Sequence, residues 1–434
     1  MRCRMLNKKV LNFLLNVKHT VVDDVKVFDD DSIVFYVHPT KGEQCRCGIC
    51  GRKASYYDAG RGPRLWRTTD IGLHKAEICA ESYRVNCPEH GVVVASVPWA
   101  RHNSRYTYDF EQTASWLAMN CSKAAVSRFM RISWNSVGPI ISRVRADLDL
   151  CPESRFDGLE KIGIDETSYR KGHKYMTVVV NHDTGKVVWV APGHGKEVLS
   201  KFFESLSEDQ RAVIRLVSAD GAKWIASCVE EFCPNAVRCI DPFHVVEWVN
   251  EALGQVRIDS WHDAKKNAAP EPKRKPGRPP KGTPPKDHTA SEIKHSKYAL
   301  GKNPENLTAN QRAKLELIAK TDNRLWRAYR LKEELRTVFQ LDKDAGREQL
   351  DHWIKWAQHC RIPAFVELQR KIRRHYEAIM ATLENGLSNA RIEAVNNKIK
   401  LSIRMAYGFR NITNMIDMIM LRCSELTVPL PWAW

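Results

Sequence analysis

Between Lys265 and Asp287 the chain is so dense in proline, lysine, arginine and glycine that it has almost no apolar surface to bury. A single core cannot run through such a stretch, so the sequence must fold as separate regions on either side of it. With 434 residues and about 150 residues as an ordinary domain size, roughly three folded units are expected. The charge balance agrees with the basic stretch: 68 Lys and Arg against 51 Asp and Glu leave a net +17, an excess that usually faces a polyanion. Nucleic acid fits better than an anionic membrane, because no apolar run approaches the roughly 20 residues that span a bilayer. Met1–Val21 resembles a leader only superficially. Its apolar positions are broken by Asn12 and Asn16 and no small-residue cleavage site follows, so it reads as a structural segment. Thirteen cysteines, an odd number without a secretory signal, point to a reducing compartment and to metal ligation before disulfides.

The hydrophobic pattern changes character several times. The stretch 1–40 is an N-terminal segment, and 41–97 holds clustered cysteines among strand-like runs such as Glu77–Val85. Helical periodicity from about Tyr108 to Leu148, broken after Ser122 and near Ile132 and Ser133, suggests a helix-turn-helix within 98–155. From Lys161 the pattern becomes a meander of three strands, with a hairpin turn at Asp183-Thr184-Gly185, and then alternates helix and strand. That predicts a mixed α/β sheet over 156–260. The basic linker and a helical insertion rich in Leu, Trp, Lys and Arg occupy 261–385. The remainder, 386–434, returns to helix and is expected to complete the domain begun at 156.

Two apolar runs end in acids: Gly163-Ile164-Asp165-Glu166 and Leu216-Val217-Ser218-Ala219-Asp220-Gly221. Each acid would emerge at the carboxyl edge of a sheet. A third, Glu393, sits on a helix whose spacing puts Glu393, Asn396, Asn397 and Lys400 on one face. Hard divalent cations such as Mg²⁺ prefer carboxylate oxygen, and two of them about 4 Å apart clamp both oxygens of an in-line phosphoryl displacement. Taken singly, Asp220 reads equally as a turn residue and Glu393 as part of a solvated face. Glu166 is the nearest rival ligand. The joint occurrence with a basic chain, a cysteine knuckle and a helix-turn-helix favours the metal-binding reading.

Cys47-x-x-Cys50 and Cys87-x-x-His90 supply two close ligand pairs, the pattern of a closed tetrahedral Zn²⁺ site with a structural role. Cys45 is a spare that could replace Cys47, and reduced buried cysteines are the alternative. In the helix-turn-helix, Ser133 as N-cap would present Asn135 and Ser136 to a major groove. Gly138-Pro139 leaves a second option, a helix beginning there, which moves the reading residues toward Ile140–Arg145 and includes Arg143. The run Lys273–Lys281, with Arg278 at its Gly-Arg-Pro centre, resembles an AT-hook for a narrow minor groove. A flexible linker is the alternative.

Seven fragments in order carry a resemblance to a known family: Cys87–Gly91, Val97–Ala100, Gly163–Glu166, Ser218–Gly221, Asp241–Val245, Asn396–Lys400 and Tyr407–Asn411. Over nearly its whole length the chain is similar to insertion-sequence transposases with a DDE triad, in particular the L-three group. The resemblance implies an RNase H-like mixed sheet interrupted by a helical insertion, with a zinc-binding module and a helix-turn-helix before it. It implies that Asp165, Asp220 and Glu393 hold Mg²⁺ or Mn²⁺ and that Asp241 and His244 shape the site. It further implies cleavage at the element's terminal inverted repeats and joining of the 3′ hydroxyls to target DNA. Lys398, Lys400, Arg404 and Arg410 would lie on phosphates beside the cut. The expected setting is the bacterial cytoplasm, at the nucleoid, as a homodimer or higher oligomer without membrane contact. A DNA-binding regulator derived from a transposase, and a metal-dependent nuclease without strand transfer, are the alternatives.

Overall fold

The computed structural model describes residues 8–267, 289–387 and 390–430. The AT-hook-like run around Arg278 lies outside the described residues. The chain forms two compact units: residues up to Pro152 together with those from Lys398 onward, and Glu153–Asn397.

The first unit begins with β1 (Thr20–Val27), β2 (Ile33–Pro39), β3 (Ser55–Asp58), β4 (Pro63–Arg67), β5 (Ala76–Glu81), β6 (Arg84–Cys87) and β7 (Gly91–Val94). They make two sheets, ordered β1-β2-β5-β4 and β3-β6-β7. Alternation in β5 turns Ala76, Ile78 and Ala80 inward, where they meet Phe35, Trp66 and Trp99. Residues before position 41, set apart as a segment on sequence grounds, belong to this sheet. β2 pairs in parallel with β5, and Leu11 and Leu15 from the helix Lys8–Leu15 join the same core.

Three helices follow, Tyr108–Asn120, Lys123–Phe129 and Trp134–Leu148. Thr107, Ser122 and Ser133 each cap one of them through the side-chain oxygen, which satisfies amide groups that the first turn leaves open. The third helix therefore starts at the Ser133 cap, and Pro139 lies inside it. Phe110, Val126, Val137, Ile140 and Val144 form the core between the helices, together with Met418 and Leu421 from the helix Ile412–Cys423. Asn414 of that last helix lies where a Cβ at Gly138 would be, and Ser142 Oγ donates to Asp417 at 2.5 Å. The helix Ile412–Cys423, within the stretch assigned on sequence grounds to the catalytic part, buries its apolar face on the helix-turn-helix.

The second unit is built on β8 (Lys161–Arg170), β9 (Lys174–Asn181), β10 (Lys186–Pro192), β11 (Leu216–Ala219) and β12 (Val237–Ile240). Their order is β10-β9-β8-β11-β12. β8, β9 and β10 are antiparallel, whereas β11 is parallel to both β8 and β12. This is the RNase H-like mixed sheet. Met176–Val180 is buried throughout, as a central strand covered on both faces must be. Leu199, Phe202 and Phe203 of the helix Lys196–Glu204 and Ile225 and Val229 of Lys223–Phe232 pack on Ile162, Ile164 and Val217. The expected hairpin joins β9 to β10, with Gly185 at φ +67°, a left-handed conformation that glycine adopts without strain.

From β12 the helix Pro242–Asn267 leads away, running past Asp263, where the sequence pattern stops. Its Val249, Leu253 and Val256 share a core with Leu331, Leu335, Trp353, Phe365 and Ile379 of the insertion. Trp353 Nε1 donates to the Leu331 carbonyl at 2.7 Å, and Thr382 Oγ1 donates to that of Ile240 at 2.7 Å. The insertion is thus welded to the end of β12.

Candidate functional site

Asp165 was expected at a strand end, but β8 continues to Arg170 and pairs Asp165 with Val178 of β9. The strand ends only with respect to β11. There the parallel pairs are Leu216 with Lys161, Val217 with Ile162 and Ser218 with Gly163. Continued by two residues, this register brings Asp220 level with Asp165, and side chains level on adjacent parallel strands point to the same face. The two carboxylates are near enough that Asp220 contributes to raising the Asp165 pKa. Burial is the larger cause, and the Glu166 amide, His244 and Asn396 oppose it.

Glu393 is exposed in the first turn of the helix Ala390–Met405. One turn later Asn396 is buried, and its Nδ2 donates to Asp165 Oδ2 at 2.6 Å. Ile392 of this helix lies directly on β8. A Cβ at Gly163 would overlap the Ile392 Cδ1 and approach His182 Nε2 to 2.8 Å. Arg391 donates to the carbonyl of His182. His182 is buried and bonds Ser218 Oγ at 2.5 Å; burial, and then the charge of Arg391, push its pKa down to about 4. The glycine of Gly-Ile-Asp-Glu is therefore what lets the helix of the third acid approach the strand of the first. Neither this role nor that of Asn396 is visible from spacing alone.

Glu166 alternates to the other face of β8, where its Oε1 accepts from the Gly195 amide at 3.2 Å. Burial raises its pKa, with Asp220 and Asp165 adding to the effect. Asp241 Oδ1 accepts from the Phe243 amide at 3.2 Å, capping the helix whose first residue is Pro242. His244 lies 3.2 Å from Glu247. Lys398, Lys400, Arg404 and Arg410 are exposed.

The cysteine site is compact. Cys47, Cys50, Cys87 and His90 place their ligand atoms within 4.8 Å of one another, and among the described residues the three acids form no second such group. Cys50 Sγ lies 3.8 Å from Cys87 Sγ, Cys87 Sγ 3.6 Å from His90 Nδ1, and Cys47 Sγ 3.8 Å from His90 Nδ1. A tetrahedron with Zn–S bonds of about 2.3 Å has edges of about 3.8 Å, so the set fits zinc without rearrangement. Cys45 is not among these four; its backbone amide donates to the Tyr83 hydroxyl at 2.9 Å.

Comparison with known proteins agrees with this layout. A zinc-finger model of insertion-sequence transposases matches residues 43–90, and the helix-turn-helix model of the ISL3 transposase family matches 95–145. The transposase DDE model of the same family matches 162–419. The chain belongs to the ISL3 family of transposases. It is 49% identical over 435 residues to the transposase for insertion sequence element IS1557 of Mycobacterium tuberculosis, with 98% of both chains covered. To the transposase for IS1001 of Bordetella parapertussis it is 25% identical over 413 residues, covering 94% of this chain and 96% of the other.

In this transposase the helix-turn-helix is the DNA-binding element. Asn135 is exposed and Ser136 partly so, in the first turn after the Ser133 cap, whereas Arg143 donates through Nε to Glu111 at 2.8 Å. Glu111 is wholly buried and also meets Arg101, so the Arg143 guanidinium is drawn inward. No helix among the described residues is long and apolar enough to cross a membrane.

Proposed function

We propose that the transposase binds the terminal inverted repeats of its insertion sequence, cleaves the DNA at the element ends and joins the freed 3′ hydroxyls to target DNA, with Asp165, Asp220 and Glu393 as the essential carboxylates. What supports the reading is the β8–β11 register, whose last pair is Ser218 with Gly163 and which, continued by two residues, would bring Asp220 level with Asp165. The helix bearing the third acid is tied to the first by Asn396.

The donor set suits hard cations: carboxylate oxygens, and beside them Asn396 Oδ1, which is buried without a hydrogen-bond partner. Two divalent ions held there, Mg²⁺ or Mn²⁺, would supply Lewis acidity to the phosphodiester and to the attacking oxygen. The protein's own part is orientation. Asn396 fixes the rotamer of Asp165, and the Gly195 amide holds Glu166 on the opposite face. Asn135 and Ser136 meet base edges in the repeat, with Arg143 supporting their helix, and Lys398, Lys400 and Arg404 meet phosphates. Two ends must be brought together, which calls for a homodimer or higher oligomer, working at the nucleoid in the bacterial cytoplasm.

The test is a strand-transfer assay with pre-cut element ends and a plasmid target. Joined products are expected. Products of hydrolysis alone would reduce the function to that of a nuclease.

A further inference from the structure

Around Asp220 the insertion and the sheet bring together cations that the chemistry above does not use. Trp248, on the helix Pro242–Asn267, fills the space beside Gly221, where a Cβ would come within 2.6 Å of its ring. Lys371 Nζ lies 3.7 Å from the centroid of that ring, and the His375 ring 5.3 Å from it. Arg238 of β12 donates to the Asp220 carbonyl at 3.3 Å and keeps a buried Nε without a partner. Arg374 is close enough to act on both Lys371 and His375.

Their charges are unbalanced. Arg324, Lys332, Arg336 and Lys343 in the same insertion each meet a carboxylate. Among the described residues Lys371, Arg374 and Arg238 close no such pair. Glu251, Glu247 and Asp220 act on Lys371, and Asp220 and Glu230 on Arg238, without closing an ion pair. Lys371 and the exposed Arg374 oppose one another, and both act with Arg238 on His375; gathering such cations costs Coulomb energy, most of all at the partly buried Lys371 and Arg238. An anion placed among them would remove that cost. The Asp220 charge acts on Lys371, Arg238 and His375, but a carboxylate that holds metal is no longer left to balance them.

We propose that Lys371, seated on the Trp248 ring, together with Arg374 and Arg238, binds a backbone phosphate of the DNA strand adjacent to the bond being cut. The proposal rests on the catalytic reading of Asp220 and adds to it a ligand: a phosphodiester next to the scissile one, gripped by the insertion. Trp248 serves as the rigid floor that fixes Lys371 and Gly221 together. The helical insertion thereby becomes part of the substrate site.

The experiment uses the full-length, zinc-loaded protein and a duplex carrying the element end, without added Mg²⁺, and measures affinity against salt. Lys371→Met with Arg374→Met keeps an aliphatic chain from position 371 on Trp248 and removes both charges. It is expected to flatten the slope of log K against log salt by about 0.9 for each phosphate no longer neutralised. Lys371→Arg with Arg374→Lys should keep the wild-type slope, as should Arg370→Gln, whose residue is paired with Glu367 on the same helix. Neutral methylphosphonates on either side of the cut should weaken the wild type and leave the double methionine variant unaffected. An unchanged slope in that variant, an equal flattening in Arg370→Gln, or methylphosphonate effects of the same size in both proteins would overturn the assignment. Asp220→Ala separates the two levels: full cleavage there removes the catalytic reading, whereas abolished cleavage beside an unchanged slope in the methionine variant removes the phosphate site alone.

Discussion

The zinc site and the acid site contrast in how their ligands are brought together. Cys47 and Cys50 come from one knuckle, Cys87 and His90 from the β6–β7 turn, and their ligand atoms already stand at tetrahedral spacing. The three proposed carboxylates, Asp165 in β8, Asp220 just after β11 and Glu393 on a helix, come from segments far apart, with the helical insertion between the second and third. Two tight turns suffice for the first site. The proposed second site would depend on strand register, on a glycine that admits Ile392, and on one hydrogen bond from the Asn396 side-chain amide to Asp165. A locally encoded site stands or falls with its metal, whereas a remotely encoded one can be destroyed through packing far from any ligand.

The contrast can be broken most forcefully at the zinc. Chelation, or Cys87→Ala, should remove up to about 10 kcal/mol of metal-binding free energy from its module. Limited proteolysis is then expected to open residues 20–97 while 153–267 remains protected; equal loss of protection in both would refute the separation. Next in size, Asp165→Ala, Asp220→Ala and Glu393→Ala should each lower end cleavage by about 10³-fold or more, as for members of a unit that acts together. Repeat binding in a mobility shift should be unchanged. Cleavage surviving in the Asp165 variant would move the role to Glu166.

His182 gives a smaller effect with a defined sign. Its pKa is lowered from 6.5 to about 4, so the folded unit holds it neutral while the unfolded chain takes up the proton. The stability this confers is complete above pH 6.5 and is lost as pH falls from 6.5 to 4, by at most about 3 kcal/mol. Denaturant titrations of His182→Gln should lack that part of the acid slope; an identical slope would show that His182 is not held neutral. Smallest, Asn396→Ala should cost about 10- to 100-fold in cleavage, the usual cost of losing a group that orients a metal ligand, with the apparent affinity for Mg²⁺ weakened alongside. Loss of rate at unchanged Mg²⁺ dependence would leave Asn396 a packing role only.

Much of this was legible in the residues. The paired cysteine spacings, the capping serines at 122 and 133, and the Asp-Thr-Gly hairpin act over a few residues, where local chemistry decides the conformation. The Arg143 side chain was not legible, because its partner Glu111 lies 32 positions away. Nor was the true extent of β8. Its pairing with β9 runs to Arg170, and an apolar run marks only where a strand is buried, not where its hydrogen bonds end.

The sequence by itself determined the parts: a zinc ribbon, a three-helix DNA reader, a mixed sheet with two acids, and a basic break before a helical insertion. Each follows from periodicity, capping or ligand spacing, which are properties of neighbouring residues. Only the tertiary structure decided that the helix Ile412–Cys423 packs on the helix-turn-helix, that β11 runs beside β8 in parallel register, and that Lys371 lies on the Trp248 ring beside Gly221. Those contacts join segments whose separation along the chain leaves no periodic trace. What selects them is the close fit of buried surfaces: Ile392 on Gly163, Asn414 on Gly138 and Trp248 on Gly221.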